Sequence, residues 1–279
     1  MTFDDLSGFT TAQVAALSPS AVSLLSTAAI LSLSTEQFAA LSASQVGALS
    51  LPQLSVVPGA DIAALTTDAI GGLTSTQVAH LNTAQAVALT TGQVAALTPD
   101  QVGVLPSSGV AVLGSQQVAA LTADQLPALS TASVAAIAAA ALAALDSDQI
   151  GALATQQIAA ITLSQAQALT TGQVAALLPQ QLATLSTAAL HSLSTGQVGA
   201  LTGDAAAALT SHQVTALSPA QVAALGTVGA SVLSTAQAAA LSGSQAAALT
   251  SDQINSLDPS SPIRDEHRIR SLLQARRLI

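Results

Sequence analysis

The sequence predicts an all-α solenoid, or superhelix, of about 32 short capped helices, one helix for each eight-residue repeat. Three observations lead to this fold class. An apolar residue recurs every eight positions from Phe9 to Leu257, and 28 of these 32 anchors are leucine. Each repeat carries residues that start a helix. Half of the residues are hydrophobic while only 1% are aromatic, which indicates a core of small and medium aliphatic side chains.

The repeat, which we call the octad, has a preferred residue type at most positions. With the anchor as position 1, position 2 is Ser or Thr in most octads, position 5 is usually Gln, and position 6 is apolar. Ser or Thr followed three residues later by Gln is a capping box, and the apolar residues that flank it form a hydrophobic staple. Proline prefers position 3, as in Pro19, Pro99 and Pro219. Proline is tolerated there because its missing N–H has no helical partner.

These signals agree on one register, so each octad should open a helix over positions 3 to 8. Helices of about six residues are unstable alone, and we therefore expect stacking to bury their Leu and Val side chains. Positions 7 and 8 are mostly Ala or Gly, which permits close approach. The segments Pro58-Gly59, 106–109 and 226–229 predict bends or altered packing. The alanine-rich segment 134–145 predicts two octads fused into one longer helix.

One continuous alanine-rich helix is the main alternative, followed by a β-solenoid or disorder. In a continuous helix each octad leaves a residual rotation of ~80°, so the leucines would wind around the surface. Prolines at position 3 would each break a hydrogen bond inside such a helix. The frequent Ala and Gln, and the lack of two-residue alternation, argue against strands.

Charge is sparse and unevenly distributed. Charged residues make up 7% of the chain, lysine is absent, and cysteine is absent. All basic charge lies near the C-terminus, at Arg264, Arg268, Arg270, Arg276 and Arg277. Nucleic-acid binding needs cations along the surface that contacts phosphates, so we expect no nucleic-acid partner for the repeats. The longest apolar run, 134–145, is about half the ~20 residues that span a bilayer, and no signal peptide is visible.

We divide the chain into residues 1–257, the octad-repeat solenoid, and residues 258–279, a C-terminal helix. Ser261-Pro262 is a suitable start for this helix, and Arg276 and Arg277 suit its last turn. We expect the helix to close the stack. A docking or membrane-surface helix, and the start of a further domain, are the alternatives.

No residues with catalytic, cofactor-binding or metal-binding patterns appear. The histidines, His80, His191, His212 and His267, do not share one octad position. Six aspartates occupy position 4, where an acid complements the helix dipole, and these are Asp68, Asp100, Asp124, Asp148, Asp204 and Asp252. Two others within residues 9–256 lie elsewhere, with Asp61 at position 5 and Asp146 at position 2. We therefore expect no catalytic, cofactor-binding or metal-binding residue, no cofactor, and no enzymatic activity.

Two resemblances attach to these repeats. The segment 97–102, Leu-Thr-Pro-Asp-Gln-Val, resembles the first-helix opening of TAL-effector DNA-binding repeats, but the longer unit, the base-reading loop and the cations of that family are missing. Residues 9–257 resemble the Leu-[Ser/Thr]-x-x-Gln-[Val/Ile]-Ala-Ala tracts of very large bacterial secreted and cell-surface proteins, often adhesin- or autotransporter-like. That resemblance implies an extracytoplasmic spacer or stalk without catalytic residues.

The sequence therefore favours a structural role, as a spacer or scaffold of a bacterial surface or secreted protein. The alternative is a binding module whose surface holds a peptide, a glycan or a second copy through weak, multivalent contacts. A minor version of this alternative is ice binding through arrayed threonines. We expect an extracellular or cell-surface location.

Overall fold

The computed structural model describes residues 5–265, and its helices follow the octads. The octads from residue 9 to residue 256 contain 31 short helices, one each, and no strand occurs in the described range. The predicted fold class, an all-α solenoid with one short helix per repeat, is therefore confirmed.

The described residues form two compact units, one up to Leu145 and one from Asp146. The first unit contains α1 (Thr11–Ala15), α2 (Pro19–Ser23), α3 (Thr27–Leu31), α4 (Thr35–Ala39), α5 (Ala43–Gly47), α6 (Leu51–Ser55), α7 (Gly59–Ala64), α8 (Thr67–Gly71), α9 (Ser75–Ala79), α10 (Thr83–Ala88), α11 (Thr91–Ala96), α12 (Pro99–Gly103), α13 (Ser107–Ala111), α14 (Ser115–Ala119), the 3-10 helix η1 (Leu126–Ala128), α15 (Thr131–Ala136) and α16 (Ala139–Leu142).

The second unit contains helices of the same size. They are α17 (Ser147–Ala152), α18 (Thr155–Ala159), α19 (Leu163–Ala168), α20 (Thr171–Ala176), α21 (Pro179–Thr184), α22 (Thr187–Ser192), α23 (Thr195–Gly199), α24 (Gly203–Ala208), α25 (Ser211–Ala216), α26 (Pro219–Ala224), α27 (Gly226–Ser231), α28 (Thr235–Ala240), α29 (Gly243–Ala248) and α30 (Ser251–Ser256).

Within each unit, three octads complete one turn of the solenoid. Most helices pack against the helix three octads further along, as α4 does against α7 and α21 does against α24. Residues 24 positions apart therefore occupy equivalent places on adjacent turns.

The caps form as predicted. In α11 the Thr90 hydroxyl accepts a hydrogen bond from the Gln93 backbone N–H at 3.2 Å, and Gln93 Oε1 accepts one from the Thr90 backbone N–H at 2.8 Å. The same capping box recurs in most helices, for example those capped by Ser42 and Thr250. These bonds satisfy amides that the start of a helix leaves without an intrahelical partner. Each helix can therefore begin again after an extended residue at position 2.

Three positions of the octad face the interior. The anchor at position 1 and the residue at position 6 form the apolar core, with Val94 and Leu97 as typical examples that are 1% and 3% exposed. Phe38 is the only aromatic residue among the buried core side chains of the described range. The third buried position is position 5, where twenty glutamines are buried between the turns.

The buried glutamine amide joins two turns. The Nε2 of Gln93 donates to the carbonyl of Ile62 at 2.7 Å and to the carbonyl of Leu65 at 2.8 Å, at the C-terminal end of α7. Gln77 makes the equivalent bonds to Val46 and Leu49. One side chain thus caps the start of its own helix and the end of a helix on the preceding turn. The capping-box prediction accounted only for the first of these roles.

Two local expectations need correction. Segment 134–145 does not fuse two octads, because α15 ends at Ala136 and α16 starts after an extended Ala138. A continuous helix would rotate the anchor Ile137, which is 3% exposed, out of the core. The octad that contains Pro127 forms a 3-10 helix instead of an α-helix. Proline lacks the N–H of an α-helical bond, and its ring crowds the preceding turn.

The three unusual segments keep their helices but change how the helices start. Pro58 and Pro106 occupy N-cap positions and supply no side-chain cap. Gly226 has a φ of 68°, in the left-handed region that favours glycine, and α27 begins one position early.

Only the start of the C-terminal segment is described. Residues 262–265 are helical, and the Ser261 carbonyl accepts from the Arg264 N–H at 3.1 Å. The Ser261 hydroxyl is buried and has no hydrogen-bond partner among the described residues, so no side-chain cap from Ser261 is seen there. The rest of the helix predicted over 258–279 lies outside the described residues.

Small residues at positions 7 and 8 let adjacent turns meet closely, as expected. A Cβ added to Gly72 would lie 2.3 Å from the Ala43 carbonyl oxygen, and one added to Gly47 would lie 2.7 Å from the Gly72 carbonyl oxygen. Glycine at these two positions therefore allows backbone-to-backbone contact between α5 and α8.

We expect the substitution Gln93→Ala to destabilise the protein by about 2–3 kcal/mol, because it removes one N-cap bond and two bonds to buried carbonyls. Urea unfolding followed by circular dichroism measures this. Gln116→Ala is the matched control, since the Gln116 side chain is exposed and makes no hydrogen bond among the described residues, and its backbone bond to Ala120 survives the substitution. Equal effects of the two substitutions would contradict the bridging role of the buried amide.

We expect Gly72→Ala to destabilise the protein by about 1–3 kcal/mol, because its methyl group would overlap the Ala43 backbone. Gly243→Ala is the control, because nothing lies within 4 Å of a Cβ at Gly243. This control should stabilise the helix by about 0.4–1 kcal/mol, through the smaller conformational freedom of unfolded alanine. Thermal unfolding of both variants tests the pair, and a neutral Gly72→Ala would show that the turns can separate without cost.

Candidate interaction surfaces

The outer surface of each turn is built from octad positions 2, 3, 4 and 7, which are exposed in most octads. Positions 2 and 3 are rich in Ser and Thr, whose hydroxyl groups lie in columns because equivalent residues recur every 24 positions. Thr67 and Thr91 are neighbours in such a column, on α8 and α11. This surface offers neutral hydrogen-bonding groups at regular intervals.

A groove of about 540 Å³ lies on this surface, between α11 and α14. Gly114 stands at position 2, where most octads carry a hydroxyl side chain, and its missing side chain widens the groove. No charged side chain contributes to the lining, which supplies hydroxyl and amide groups suited to a neutral polar ligand. The lining residues are Leu89, Thr90, Thr91, Gly114, Ser115, Gln116 and Gln117.

The structure gives the described histidines local roles. His80 Nδ1 lies 2.7 Å from the Thr76 carbonyl of its own helix, and His191 Nδ1 lies 2.8 Å from the Ala216 carbonyl on the next turn. His191 and His212 lie on adjacent turns, on α22 and α25. No group of three or more His, Cys, Asp or Glu side chains suited to a metal is found within residues 5–265. His267 is outside the described residues.

Most of the aspartates are exposed at the start of their helices. Asp100 and Asp124, which are 24 residues apart, share one column on adjacent turns. Three exposed carboxyl groups have a lowered pKa, caused first by a hydrogen bond from a serine side chain two residues away. These pairs are Asp5 with Ser7, Glu36 with Ser34, and Asp258 with Ser260. Such short-range pairs order turns and caps and do not form a shared site.

Asp61 differs from the other acids because its side chain lies between turns. It is 7% exposed, and its Oδ1 accepts a hydrogen bond from the Thr35 hydroxyl at 2.8 Å. Asp61 stands at the glutamine position of its octad, and the sequence pattern did not predict its burial. Thr35 and Asp61 lie close together because they are on adjacent turns of three octads. The number of octads per turn could not be predicted from the sequence.

Large apolar side chains are exposed at scattered places. Val228 and Val232 flank Gly203 on the next helix of their column, where an added Cβ would lie 3.4 Å and 3.7 Å from them. The others with substantial exposure are Leu24, Leu31, Val87, Val104, Val112, Leu163 and Leu178. Within the described range, no helix has both the length and the apolar character needed to cross a bilayer.

Part of the repeat tract matches a known repeat family. A search of curated proteins found no match. Four segments match the family model described as ALTTAQ repeat, over residues 22–51, 59–91, 94–131 and 179–211. The same octad architecture continues through the intervening residues 132–178. The chain is thus a helical repeat protein whose octads are similar, over these four segments, to the ALTTAQ repeat.

Proposed function

We propose that this protein is a non-catalytic spacer or scaffold, part of a bacterial surface or secreted protein. The observation that carries the proposal is the repetition of one self-capped helical unit, joined to the next turn by buried glutamine amides. In repeat proteins of this kind each unit contacts only its neighbours. Length can then change by whole units while the local packing stays the same.

The chemistry of the surface supports this role. Exposed positions carry mainly Ser, Thr, Gln and Ala, and lysine is absent from the whole chain. A surface with few charges and few large apolar groups offers little for strong, specific binding, since interface hot spots are enriched in Trp, Tyr and Arg. A structure that holds other parts of an assembly at a fixed distance needs no such groups.

A spacer should shorten by a fixed step when one turn is removed. We expect deletion of residues 65–88, which are three octads, to reduce the distance between labels at Ser44→Cys and Gln116→Cys by about 8–10 Å, the spacing of packed helices. Both positions are exposed at position 4 of their octads, and the chain has no native cysteine. Electron-electron double resonance between spin labels measures this distance.

The control deletion removes residues 65–84, which breaks the octad register and should abolish cooperative unfolding. If the deletion of 65–88 also fails to fold, or leaves the label distance unchanged, the spacer proposal is wrong. Fractionation of the source cells, with antibody detection, tests the proposed extracytoplasmic location separately.

The groove between α11 and α14 favours a second candidate, a binding module for a neutral glycan. Restoring the usual cap with Gly114→Ser should fill part of the groove, and the new Cβ would meet only Gln117 Oε1, at 3.7 Å. Calorimetric titration with a panel of neutral oligosaccharides tests the wild type against this variant. Binding by the wild type that Gly114→Ser weakens would support the module, and no binding by the wild type would remove it.

A further inference from the structure

The last anchor of the repeats, Leu257, is buried like an inner anchor, although no further octad follows it in the sequence. It is 1% exposed, and the inner anchor Leu217 is 3% exposed. Leu241, an anchor two octads before Leu257, is partly exposed. This comparison indicates that residues after Leu257 cover it in place of another turn.

The segment after Leu257 turns back onto the repeats. The Ser261 N–H donates to the Asp258 carbonyl at 2.8 Å, which closes a turn, and residues 262–265 continue as a helix in the described range. Ser261 is fully buried, so the start of this segment packs against its neighbours. The turn places Arg264 close to Leu257, seven residues before it.

Arg264 makes the hydrogen bond that a bridging glutamine makes elsewhere. Its Nη1 donates to the Leu257 carbonyl at 3.0 Å. In inner turns an anchor carbonyl accepts from a glutamine Nε2 that lies 28 residues later, as Leu217 does from Gln245 at 2.7 Å. No glutamine stands 28 residues after Leu257, because the octads stop there. The guanidinium therefore supplies the donor that a further turn would supply.

The chemistry of arginine suits this contact. A guanidinium is always charged, and a hydrogen bond from a charged donor is shorter and stronger than one between neutral groups. The pKa of Asp258 is lowered first by the hydrogen bond from the Ser260 side chain, and the positive charge of Arg264 adds to the effect. The carboxylate of Asp258 and the Leu257 carbonyl thus both attract the guanidinium.

We propose that residues 258–265 form an end cap that closes the last turn of the solenoid, and that Arg264 replaces the bridging glutamine in this cap. Each unit of a solenoid is stabilised by its neighbours, so the last unit needs a structure that takes the place of the next one. The end cap holds α30, the helix that precedes Leu257, in the way that glutamine amides hold inner helices. This inference does not depend on the spacer role.

We expect Arg264→Ala to open the last turn without unfolding the rest of the chain. The amides of α30 should exchange with deuterium roughly 10- to 100-fold faster than in the wild type, because a charged hydrogen bond to the helix end is lost. The amides of α20 should keep their wild-type rates. Hydrogen exchange of the full-length chain, followed by mass spectrometry of peptides, measures both helices in one sample.

Two further variants separate the bond from other effects. Asp265→Asn is the matched control and should leave α30 unchanged, since Asp265 is exposed and its side chain makes no hydrogen bond among the described residues. Arg264→Lys should restore most of the protection, because a lysine ammonium can also donate to one carbonyl.

Three results would overturn the end cap. The first is wild-type exchange of α30 in Arg264→Ala, and the second is equal acceleration of α30 and α20, which indicates a general loss of stability. The third is a lysine variant that protects α30 no better than alanine, because one donated hydrogen bond is the role that the proposal gives to Arg264.

Discussion

The glutamine amide at octad position 5 is the interaction on which the rest of the fold depends. Its oxygen accepts from the N-cap amide of its own helix, and its nitrogen donates to carbonyls that end a helix on the preceding turn, as in Gln93. Helices this short leave most of their terminal groups without intrahelical partners. In the twenty octads that carry it, one buried side chain satisfies groups at both ends at once, and it joins adjacent turns.

Where glutamine is missing, other side chains fill position 5 without bridging the two turns. Ala29 and Ala189 fill the position with a small apolar side chain that is fully buried. Ser133 keeps a polar group, which pairs with Ser130 at 2.8 Å. Asp61 is the exception that introduces a charge. These departures show that a few turns tolerate loss of the bridging amide, while the core at positions 1 and 6 stays apolar throughout.

The octad period and its capping residues were sufficient to predict the fold class and the helix starts, because both depend on contacts within eight residues. The number of octads per turn was not predictable, since it depends on packing between residues 24 apart. The buried role of Gln93, the pairing of Thr35 with Asp61, and the close contact of Gly47 with Gly72 all follow from that number. The capping box leaves the glutamine Nε2 hydrogens without an acceptor in their own octad. This was the one signal in the sequence that indicated contacts between turns.

The three-octad turn has a consequence for how such a tract diversifies. Loss or gain of a single octad preserves every core contact type, but it rotates all later residues of the same compact unit by a third of a turn. If the change lies before Asp100, then Asp100 and Asp124 stay aligned with each other. Both carboxyl groups then leave the column of residues that they shared with the preceding turns. Recombination between octads can therefore rearrange the pattern of exposed groups without altering the core that carries them.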